Sequence, residues 1–396
     1  MSNTNTPLYT IPFALLCSSS LLFSASFNML IPELPAYLSS LGGAEYKGLI
    51  IALFTLTAGI SRPFSGKLTD TIGRVPVMAI GSIVCFVCGF LYPVLGTVNG
   101  FLFLRLLHGF STGFKPTATA AYVADIVPAK RWGEALGIHG LCFSTGMAIG
   151  PAIGSLITSY YSIDVLFYCS SAFAMLSIAI LLNMKETLKS PQRFKFSFLK
   201  ISRKEIIEWR VLPAAIVILL SYLGYGILLT LIPDWGSHLG VKNKGLFFMT
   251  FTISSLLIRF IAGKISDNYG RISVIKVALV LLCVSFYLIG HAVSVTGLLI
   301  GSIVYGIAGG VLSPATNAWT IDLSHSEHRG KAMATMYIAL EAGIGLGALL
   351  AGWMYKDIIS MVPVIFYIAA GASFLALIYV FFKERKVSYS TLRQVK

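Results

Sequence analysis

Charged residues are scarce in this chain of 396 residues. Asp, Glu, Lys and Arg together make up 12% of it, whereas 56% of the residues are hydrophobic. A water-soluble domain would carry about 25% charged residues. This scarcity excludes an ordinary soluble globular protein and indicates a chain that lies mostly in lipid.

Acidic residues are the rarer charged type, with 16 Asp and Glu against 30 Lys and Arg and a formal net charge of +14. In a soluble protein this excess would suggest nucleic-acid binding. Here the basic residues cluster in predicted loops on one side of the membrane and in the C-terminal tail. By the positive-inside rule, we predict a multi-pass protein of the plasma (inner) membrane with both termini in the cytoplasm and no nucleic-acid partner.

Residues typical of metal or catalytic sites are also missing. Cys85-x-x-Cys88 has neither a second cysteine pair nor a nearby histidine, which predicts buried thiols rather than a metal or redox centre. Gly109-Phe-Ser111-Thr-Gly113 has the spacing of a hydrolase nucleophile elbow, but it lies inside a hydrophobic run rather than at a strand–turn–helix junction. We therefore predict no enzyme, no metal site and no cofactor.

Long hydrophobic runs are abundant. About 20 apolar residues suffice for a helix to cross the hydrocarbon core of a bilayer, and within lipid a helix satisfies its backbone polar groups internally. We predict an all-α membrane protein with twelve transmembrane helices, at about 11–38, 48–65, 76–96, 100–123, 136–158, 163–183, 211–233, 245–262, 273–292, 295–318, 332–353 and 360–382.

The chain contains an internal repeat. Residues 66–74 and 263–271 share the pattern Gly-x-x-x-Asp-x-x-Gly-Arg at an offset of 197 residues. The segments ending in Glu33 and Asp234 form a second repeated pair, Leu-Ile-Pro-Glu and Leu-Ile-Pro-Asp, at an offset of 201. Duplication in such an apolar chain is typical of secondary transporters, whose two halves move about a central site.

The repeat and one long polar stretch predict the domain organisation. Residues 1–183 would form an N-terminal six-helix bundle, and residues 211–396 a C-terminal six-helix bundle with a short cytoplasmic tail. The two bundles would be related by a pseudo-twofold axis. The basic segment 184–210 would be the cytoplasmic linker between them.

The repeated loops resemble the signature of the major facilitator superfamily, as does Arg105-x-x-x-Gly109-x-x-x-Gly113 in the fourth span. The resemblance covers essentially the whole chain and implies twelve helices in two six-helix bundles that work by alternating access. We expect the aspartates to accept hydrogen bonds from a helix N-terminus and the arginines to pair with carboxylates of a neighbouring helix. The expected cytoplasmic gating residues are Gly66, Asp70, Gly73, Arg74, Gly263, Asp267, Gly270 and Arg271.

The fifth span reads Gly146-x-x-x-Gly150-Pro151-x-x-Gly154. This pattern resembles the antiporter motif of the drug:proton antiporter branch, which implies export. Small residues at this spacing allow close helix packing, and the proline bends the helix. The motif normally ends in two glycines, and here Ser155 follows Gly154.

Polar residues form a stripe along the fourth span. Arg105, His108, Thr112, Lys115 and Thr119 recur at three- and four-residue steps, which places them on one face of a helix. We predict that the stripe faces a water-filled cavity and attracts the acidic part of a substrate. The alternative is structural pairing with a carboxylate.

Three further residues are predicted to line the cavity. Asn28 lies where many efflux relatives carry a proton-coupling acid, and it cannot titrate. Tyr222 and Tyr225 would offer aromatic surface to a ligand. Proton coupling is then expected of Glu33, Asp234, Glu341 or His108. The acids have structural alternatives, Glu33 and Asp234 as rim residues and Glu341 through a hydrogen bond to a helix backbone.

The sequence thus predicts a monomeric secondary transporter that exports a small organic molecule, such as a drug, an organic anion or another metabolite, in exchange for protons. The first alternative is an uptake symporter or facilitator for a sugar or another small metabolite. The second is a non-transporting membrane receptor or scaffold, which buried charges disfavour because they are costly in lipid.

Overall fold

The structure of the protein, a computed structural model, describes residues 10–128, 131–200, 207–324 and 329–394. Within these residues it consists of α-helices joined by turns and short 3-10 segments, which confirms the prediction of an all-α protein. The described helices are α1 Ile11–Asn28, α2 Leu34–Ser40, α3 Lys47–Thr71, α4 Arg74–Leu91, α5 Val98–Ile126, α6 Trp132–Tyr160, α7 Ile163–Leu182, α8 Leu212–His238, α9 Gly245–Tyr269, α10 Arg271–Gly290, α11 Val295–Leu323, α12 Arg329–Tyr355 and α13 Val362–Gln394.

The first predicted span, residues 11–38, is interrupted, and this corrects the prediction of one continuous helix. α1 ends at Asn28, and α2 begins after Glu33. Pro32 has no amide hydrogen to continue a helix, and the amide of Glu33 donates to the carbonyl of Leu30 (3.0 Å) in a tight turn. The carboxylate of Glu33 therefore lies at a junction between two helices.

Among the described residues, ten helical segments are long and apolar enough to cross a membrane, which supports a multi-pass membrane protein. The long helices α5 and α9 are not among them. α5 carries the polar stripe, and α9 contains a shorter apolar stretch, Gly245–Arg259, within the described residues. Hydropathy of the described residues thus supports ten membrane helices, fewer than the twelve predicted. The ten segments are Ile11–Asn28, Ala44–Thr71, Arg74–Leu91, Glu134–Tyr160, Ile163–Leu182, Trp209–His238, Arg271–Gly290, Val295–Leu323, Gly330–Tyr355 and Ile359–Lys383.

The chain divides into two compact units. Unit 1 contains residues 1–44, 53–202 and 243–249, and unit 2 contains residues 45–52, 203–242 and 250–396. The predicted boundaries at 183 and 211 stay a prediction, and this division does not follow chain order throughout. The first residues of α3 belong to unit 2, and the first residues of α9 belong to unit 1.

In unit 1, α6 packs closely against α1 through glycines. A Cβ atom added to Gly146 would lie 2.5 Å from the carbonyl oxygen of Leu21, and one added to Gly154 would lie 2.0 Å from that of Met29. Only a residue without a side chain permits this approach of two backbones.

In unit 2, α12 packs against α8 in the same way. Cβ atoms added to Gly343 and Gly347 would lie 2.4 and 1.9 Å from the carbonyl oxygens of Leu219 and Leu223. These two glycines stand 197 residues after Gly146 and Gly150. The packing of the antiporter-type motif is therefore present in both units.

A second glycine contact is also duplicated. A Cβ atom on Gly109 of α5 would lie 2.0 Å from the carbonyl oxygen of Phe54 in α3. At the same offset, a Cβ atom on Gly306 of α11 would lie 2.2 Å from the carbonyl oxygen of Phe251 in α9. The repeat thus specifies helix packing as well as loop sequence.

Candidate functional site

Lys115 is buried within unit 1 and bound by hydroxyl groups. Its ammonium donates to the carbonyl oxygen of Ser19 (3.1 Å) and to the hydroxyls of Ser19 (2.8 Å), Ser82 (3.0 Å) and Ser177. It also lies 4.7 Å from the centre of the Phe23 ring. These partners come from α1, α4 and α7, so the side chain links four helices of one unit.

The polar stripe of α5 therefore points into unit 1, and the prediction that it faces a water-filled cavity is not met at Lys115, which is 1% exposed. The alternative of pairing with a carboxylate is also not met there. Among the described residues, no carboxylate forms an ion pair with this ammonium. A buried lysine costs roughly 2.5–3.5 kcal/mol on insertion scales, and the hydroxyls and the aromatic ring offset part of that cost.

Arg105 and His108 lie in a second buried group of unit 1. His108 forms hydrogen bonds with the hydroxyl of Tyr92 (3.1 Å) and the thiol of Cys85 (3.2 Å). Arg105 reaches the same tyrosine hydroxyl at 3.4 Å and stacks over the ring of Phe54 at 4.5 Å. Both side chains are thus engaged inside the unit rather than presented to water.

The remaining predicted cavity residues of unit 1 bond within their own helices. The side-chain amide of Asn28 donates to the carbonyl of Ser24 (2.8 Å), and the hydroxyl of Thr112 donates to the carbonyl of Gly109 (3.1 Å). Both residues are buried. Their predicted role in binding stays a prediction.

Tyr222 and Tyr225 belong to an aromatic group of unit 2. Their rings are 6.1 Å apart, and the ring of Tyr225 stacks on Tyr305 at 6.2 Å and meets Phe251 at 6.2 Å. Three helices, α8, α9 and α11, contribute to this group. It combines apolar rings with phenolic hydroxyl groups.

Glu33 is held by two partners in unit 1. Its carboxylate forms an ion pair with Lys244 (3.0 Å) and accepts a hydrogen bond from the hydroxyl of Ser155 (2.7 Å). Ser155 is the residue that departs from the antiporter-type motif. The departure thus supplies a donor to a buried carboxylate.

Asp234 has a corresponding partner in unit 2. Its carboxylate forms an ion pair with Lys47 (2.6 Å), which also binds Asp357 and lies 5.5 Å from the centre of the Tyr355 ring. Glu33 and Asp234 are both part of ion pairs. Their part in proton coupling stays a prediction.

Glu341 lies near the middle of α12 and is buried within unit 2. An acidic group at this depth in a membrane helix is costly unless it has a function or a partner.

The N-terminal copy of the repeated loop is organised by ion pairs. Arg74 forms one with Asp125 of α5 (3.0 Å) and one with Asp70 (3.1 Å), and it donates to the carbonyl of Thr69 (2.6 Å). The expected pairing of the arginine with a carboxylate of another helix is therefore seen.

We expected Asp70 to accept hydrogen bonds from a helix N-terminus. At the N-terminus of α4 the accepting carboxylate is instead that of Glu186. It accepts hydrogen bonds from the amides of Arg74 (3.0 Å) and Val75 (2.9 Å). Gly73 precedes the helix at a φ of 122°, and a Cβ atom there would lie 2.5 Å from the Glu186 carboxylate. The helix dipole favours an anion at this position.

The C-terminal copy repeats part of this arrangement. Arg271 pairs with Asp322 of α11 (3.3 Å) and donates to the hydroxyl of Ser266 (3.1 Å). Gly270 has a φ of 85° before α10, and a Cβ atom there would meet nothing within 4 Å. The surroundings of the predicted gating residues Gly263 and Asp267 lie outside what the structure describes. The position that corresponds to Glu186 is occupied by Lys383.

Several residues of these groups were missed from the sequence. Lys47 and Lys244 are 197 residues apart, so the repeat offset was a signal that could have identified them. Glu186 and the three serines around Lys115 carry no such signal, because their roles depend on contacts between distant segments.

Comparison with known proteins is consistent with this arrangement. A sequence profile of the Major Facilitator Superfamily matches residues 16–242 and 214–396. The chain belongs to the major facilitator superfamily, whose members are transporters. Multi-drug resistance efflux pump PmrA of Streptococcus pneumoniae is 28% identical over 313 residues, covering 75% of this chain and 77% of the relative. This likeness confirms the resemblance to the drug:proton antiporter branch.

Solved structures show the same fold. The human organic anion transporter MFSD10 (TETRAN) superposes with a TM-score of 0.71 at 19% identity, over 95% of this chain and 100% of that one. A D-xylose-proton symporter superposes with a TM-score of 0.77 at 15% identity, over 93% and 96% of the two chains. At these identities the similarity concerns the fold alone.

Proposed function

We propose that this protein is a proton-coupled antiporter that exports a small organic molecule across the plasma membrane by alternating access. The observation that carries the proposal is the close packing of α6 on α1 at Gly146, Gly150 and Gly154. The glycines of the motif that resembles that of drug:proton antiporters thus form a close contact between two helices. In addition, the relative PmrA is named as a multi-drug resistance efflux pump.

The proposed topology has twelve spans and cytoplasmic termini. α5 and α9 are as long as the other membrane helices, with 29 and 25 residues. Arg105 and Lys115, two charges that lower the hydropathy of α5, are buried against other helices of unit 1, so they do not meet lipid. We include both helices among the spans, which gives six in each half of the sequence, and we propose a monomer as the working form.

Proton coupling is proposed to use Glu33, Asp234 or Glu341. Two of these carboxylates hold a lysine, and the third is buried in the middle of a membrane helix. Protonation removes the charge of a carboxylate and with it the ion pair. One charge that crosses 100 mV releases about 2.3 kcal/mol, enough for roughly a fifty-fold substrate gradient.

The substrate is proposed to be an organic molecule with an aromatic or apolar body. The aromatic group of Tyr222, Tyr225 and Tyr305 supplies a surface on which such a body can pack. Arg105 and Lys115 already bind other side chains within unit 1. We propose that they hold α5 against its neighbouring helices, and we do not assign anion recognition to them.

Export can be tested in bacterial cells that produce the protein. The cells are loaded with fluorescent dyes and organic acids of varied charge, and the loss of each compound is followed with and without a protonophore. We expect faster loss of at least one compound than in cells with an empty vector, and we expect the protonophore to abolish the difference. Net uptake driven by the same gradient would instead establish the symporter alternative, whose fold is the same.

A further inference from the structure

Two lysines at repeat-related positions bind repeat-related carboxylates. Lys47 begins α3 and pairs with Asp234 at 2.6 Å, and Lys244 directly precedes α9 and pairs with Glu33 at 3.0 Å. Each lysine binds the carboxylate from the other half of the sequence. We call Glu33, Ser155 and Lys244 the unit 1 latch, and Lys47, Asp234 and Asp357 the unit 2 latch.

The residue after each lysine is a glycine in close backbone contact. A Cβ atom on Gly48 would lie 2.4 Å from the carbonyl oxygen of Ala348, and one on Gly245 would lie 2.2 Å from that of Pro151. Ala348 and Pro151 are themselves 197 residues apart. The two helix starts thus occupy equivalent places on α12 and α6.

Each latch holds the start of a helix whose remainder belongs to the other unit. Residues 45–52 are part of unit 2, although α3 continues in unit 1 from residue 53. Residues 243–249 are part of unit 1, although α9 continues in unit 2 from residue 250. A change that releases a latch frees the start of that helix from the unit that holds it.

We propose that Lys47 and Lys244 are positioning residues of the transport cycle, and that both latches open and re-form for each substrate molecule moved. The proposal rests on the transport function argued above. Gly48 and Gly245 have no side chains that could hold the two helix starts in place. The ion pairs beside them are partly open to solvent. The side chain of Lys244 is 22% exposed and that of its partner Glu33 is 9% exposed, while Asp234 is 19% and Lys47 6% exposed. Each pair thus has one member that water reaches, and water can replace the partner of that member when the pair opens.

The two latches differ in strength. Lys47 faces two carboxylates, whereas Lys244 faces one carboxylate that a hydroxyl also binds. Asp357 and Lys356 have φ values of 61° and 43°. Such values are unfavourable for side chains other than glycine, so the chain keeps a strained turn where it brings the second carboxylate to Lys47. The unit 2 latch is therefore the stronger one, and its loss has the larger effect.

Charge exchange tests the proposal in proteoliposomes of the full-length protein. Lys244→Glu, Glu33→Lys, Lys47→Glu and Asp234→Lys are each expected to lower the transport rate by about tenfold or more. The matched pairs Lys244→Glu with Glu33→Lys, and Lys47→Glu with Asp234→Lys, are expected to recover most of that loss. The mismatched pair Lys244→Glu with Asp234→Lys is expected to recover none. Lys242→Gln, at an exposed lysine two residues before Lys244, is the control and keeps the wild-type rate.

Wild-type rates in the single variants would overturn the proposal. So would matched pairs that regain the thermal midpoint of unfolding but transport no better than the mismatched pair, because the ion pairs would then be structural only.

A second measurement does not depend on transport. Leu246→Cys at the start of α9 is labelled with a membrane-impermeant maleimide, with and without Lys244→Gln. Faster labelling in the double variant supports a latch that opens, and equal rates contradict it. A wild-type protein that moves no substrate would refute the exporter function alone, while the labelling would still decide about the latch.

Discussion

At the scale of single residues, hydroxyl groups hold the buried cation of α5. Lys115 has four oxygen partners from three serines, and Ser82 is the one contributed by α4. A hydrogen bond to a charged group contributes more than one between neutral groups. These serines therefore determine whether the lysine is tolerated in lipid.

Removing one hydroxyl tests this account. We expect Ser82→Ala to lower the free energy of unfolding by about 1–2 kcal/mol, because the ammonium loses one of its acceptors. The thermal midpoint in detergent would show it. Ser285→Ala is the matched control, since Ser285 is equally buried and, within the described residues, donates only to the carbonyl of Leu282 in its own helix. Equal midpoints for the two variants would contradict the assigned role of Ser82.

The two glycines of the repeated loops offer a second residue-scale prediction. Gly73→Ala and Gly270→Ala both place a side chain at a positive φ, which costs about 1–2 kcal/mol. Gly73→Ala also displaces the Glu186 carboxylate from the start of α4, which adds about 1 kcal/mol for the lost cap. We expect the thermal midpoint to fall further for Gly73→Ala. A fall of the same size in both variants would show that Glu186 does not stabilise α4.

The sequence identified some of these residues and not others, for a physical reason. Arg74 and Arg271 stand in a repeated pattern with Asp125 and Asp322 at the same offset, so their pairing could be expected. The orientation of Lys115 could not, because helical periodicity places residues on one face without saying which neighbour covers that face. Serine hydroxyls from three other helices determine which neighbours the side chain of Lys115 contacts.

At the scale of helices, glycine spacing specifies which surfaces meet. The pattern Gly146, Gly150, Gly154 predicted close packing of α6, and the partner, α1, became known only from the structure. The interruption between α1 and α2 was missed, although Pro32 was a visible signal. Its turn places Glu33 where Ser155 and Lys244 reach it.

Adding one methyl group to the contact between α6 and α1 tests whether the close packing of these helices matters. Gly154→Ala would place a Cβ atom 2.0 Å from a backbone oxygen that cannot move freely. We expect a loss of about 1–3 kcal/mol from overpacking, together with reduced transport. Gly137→Ala, in the same helix with nothing within 4 Å of its Cβ atom, is expected to be neutral or stabilising by up to about 1 kcal/mol. Thermal midpoints and transport rates of the two variants check this, and equal loss in both would contradict it.

At the scale of the whole molecule, the repeat predicted more than any single motif. It indicated a duplicated membrane transporter, and the family and the all-helical architecture are confirmed. The same offset relates Gly146 to Gly343, Gly109 to Gly306 and Lys47 to Lys244, so duplication preserved contacts as well as sequence. The division into units could not be predicted, because the helix starts that change units are set by packing rather than by chain order.

The most direct test of proton-coupled export uses proteoliposomes that contain a pH-sensitive dye and an acidic interior. Substrates found in the cell assay are added outside, and the internal pH is recorded. Antiport predicts that the internal pH rises faster with substrate than without it. We expect Glu341→Gln to abolish the effect and Lys242→Gln to leave it unchanged. Substrate entry with no change in internal pH, or with protons entering beside it, would contradict the account.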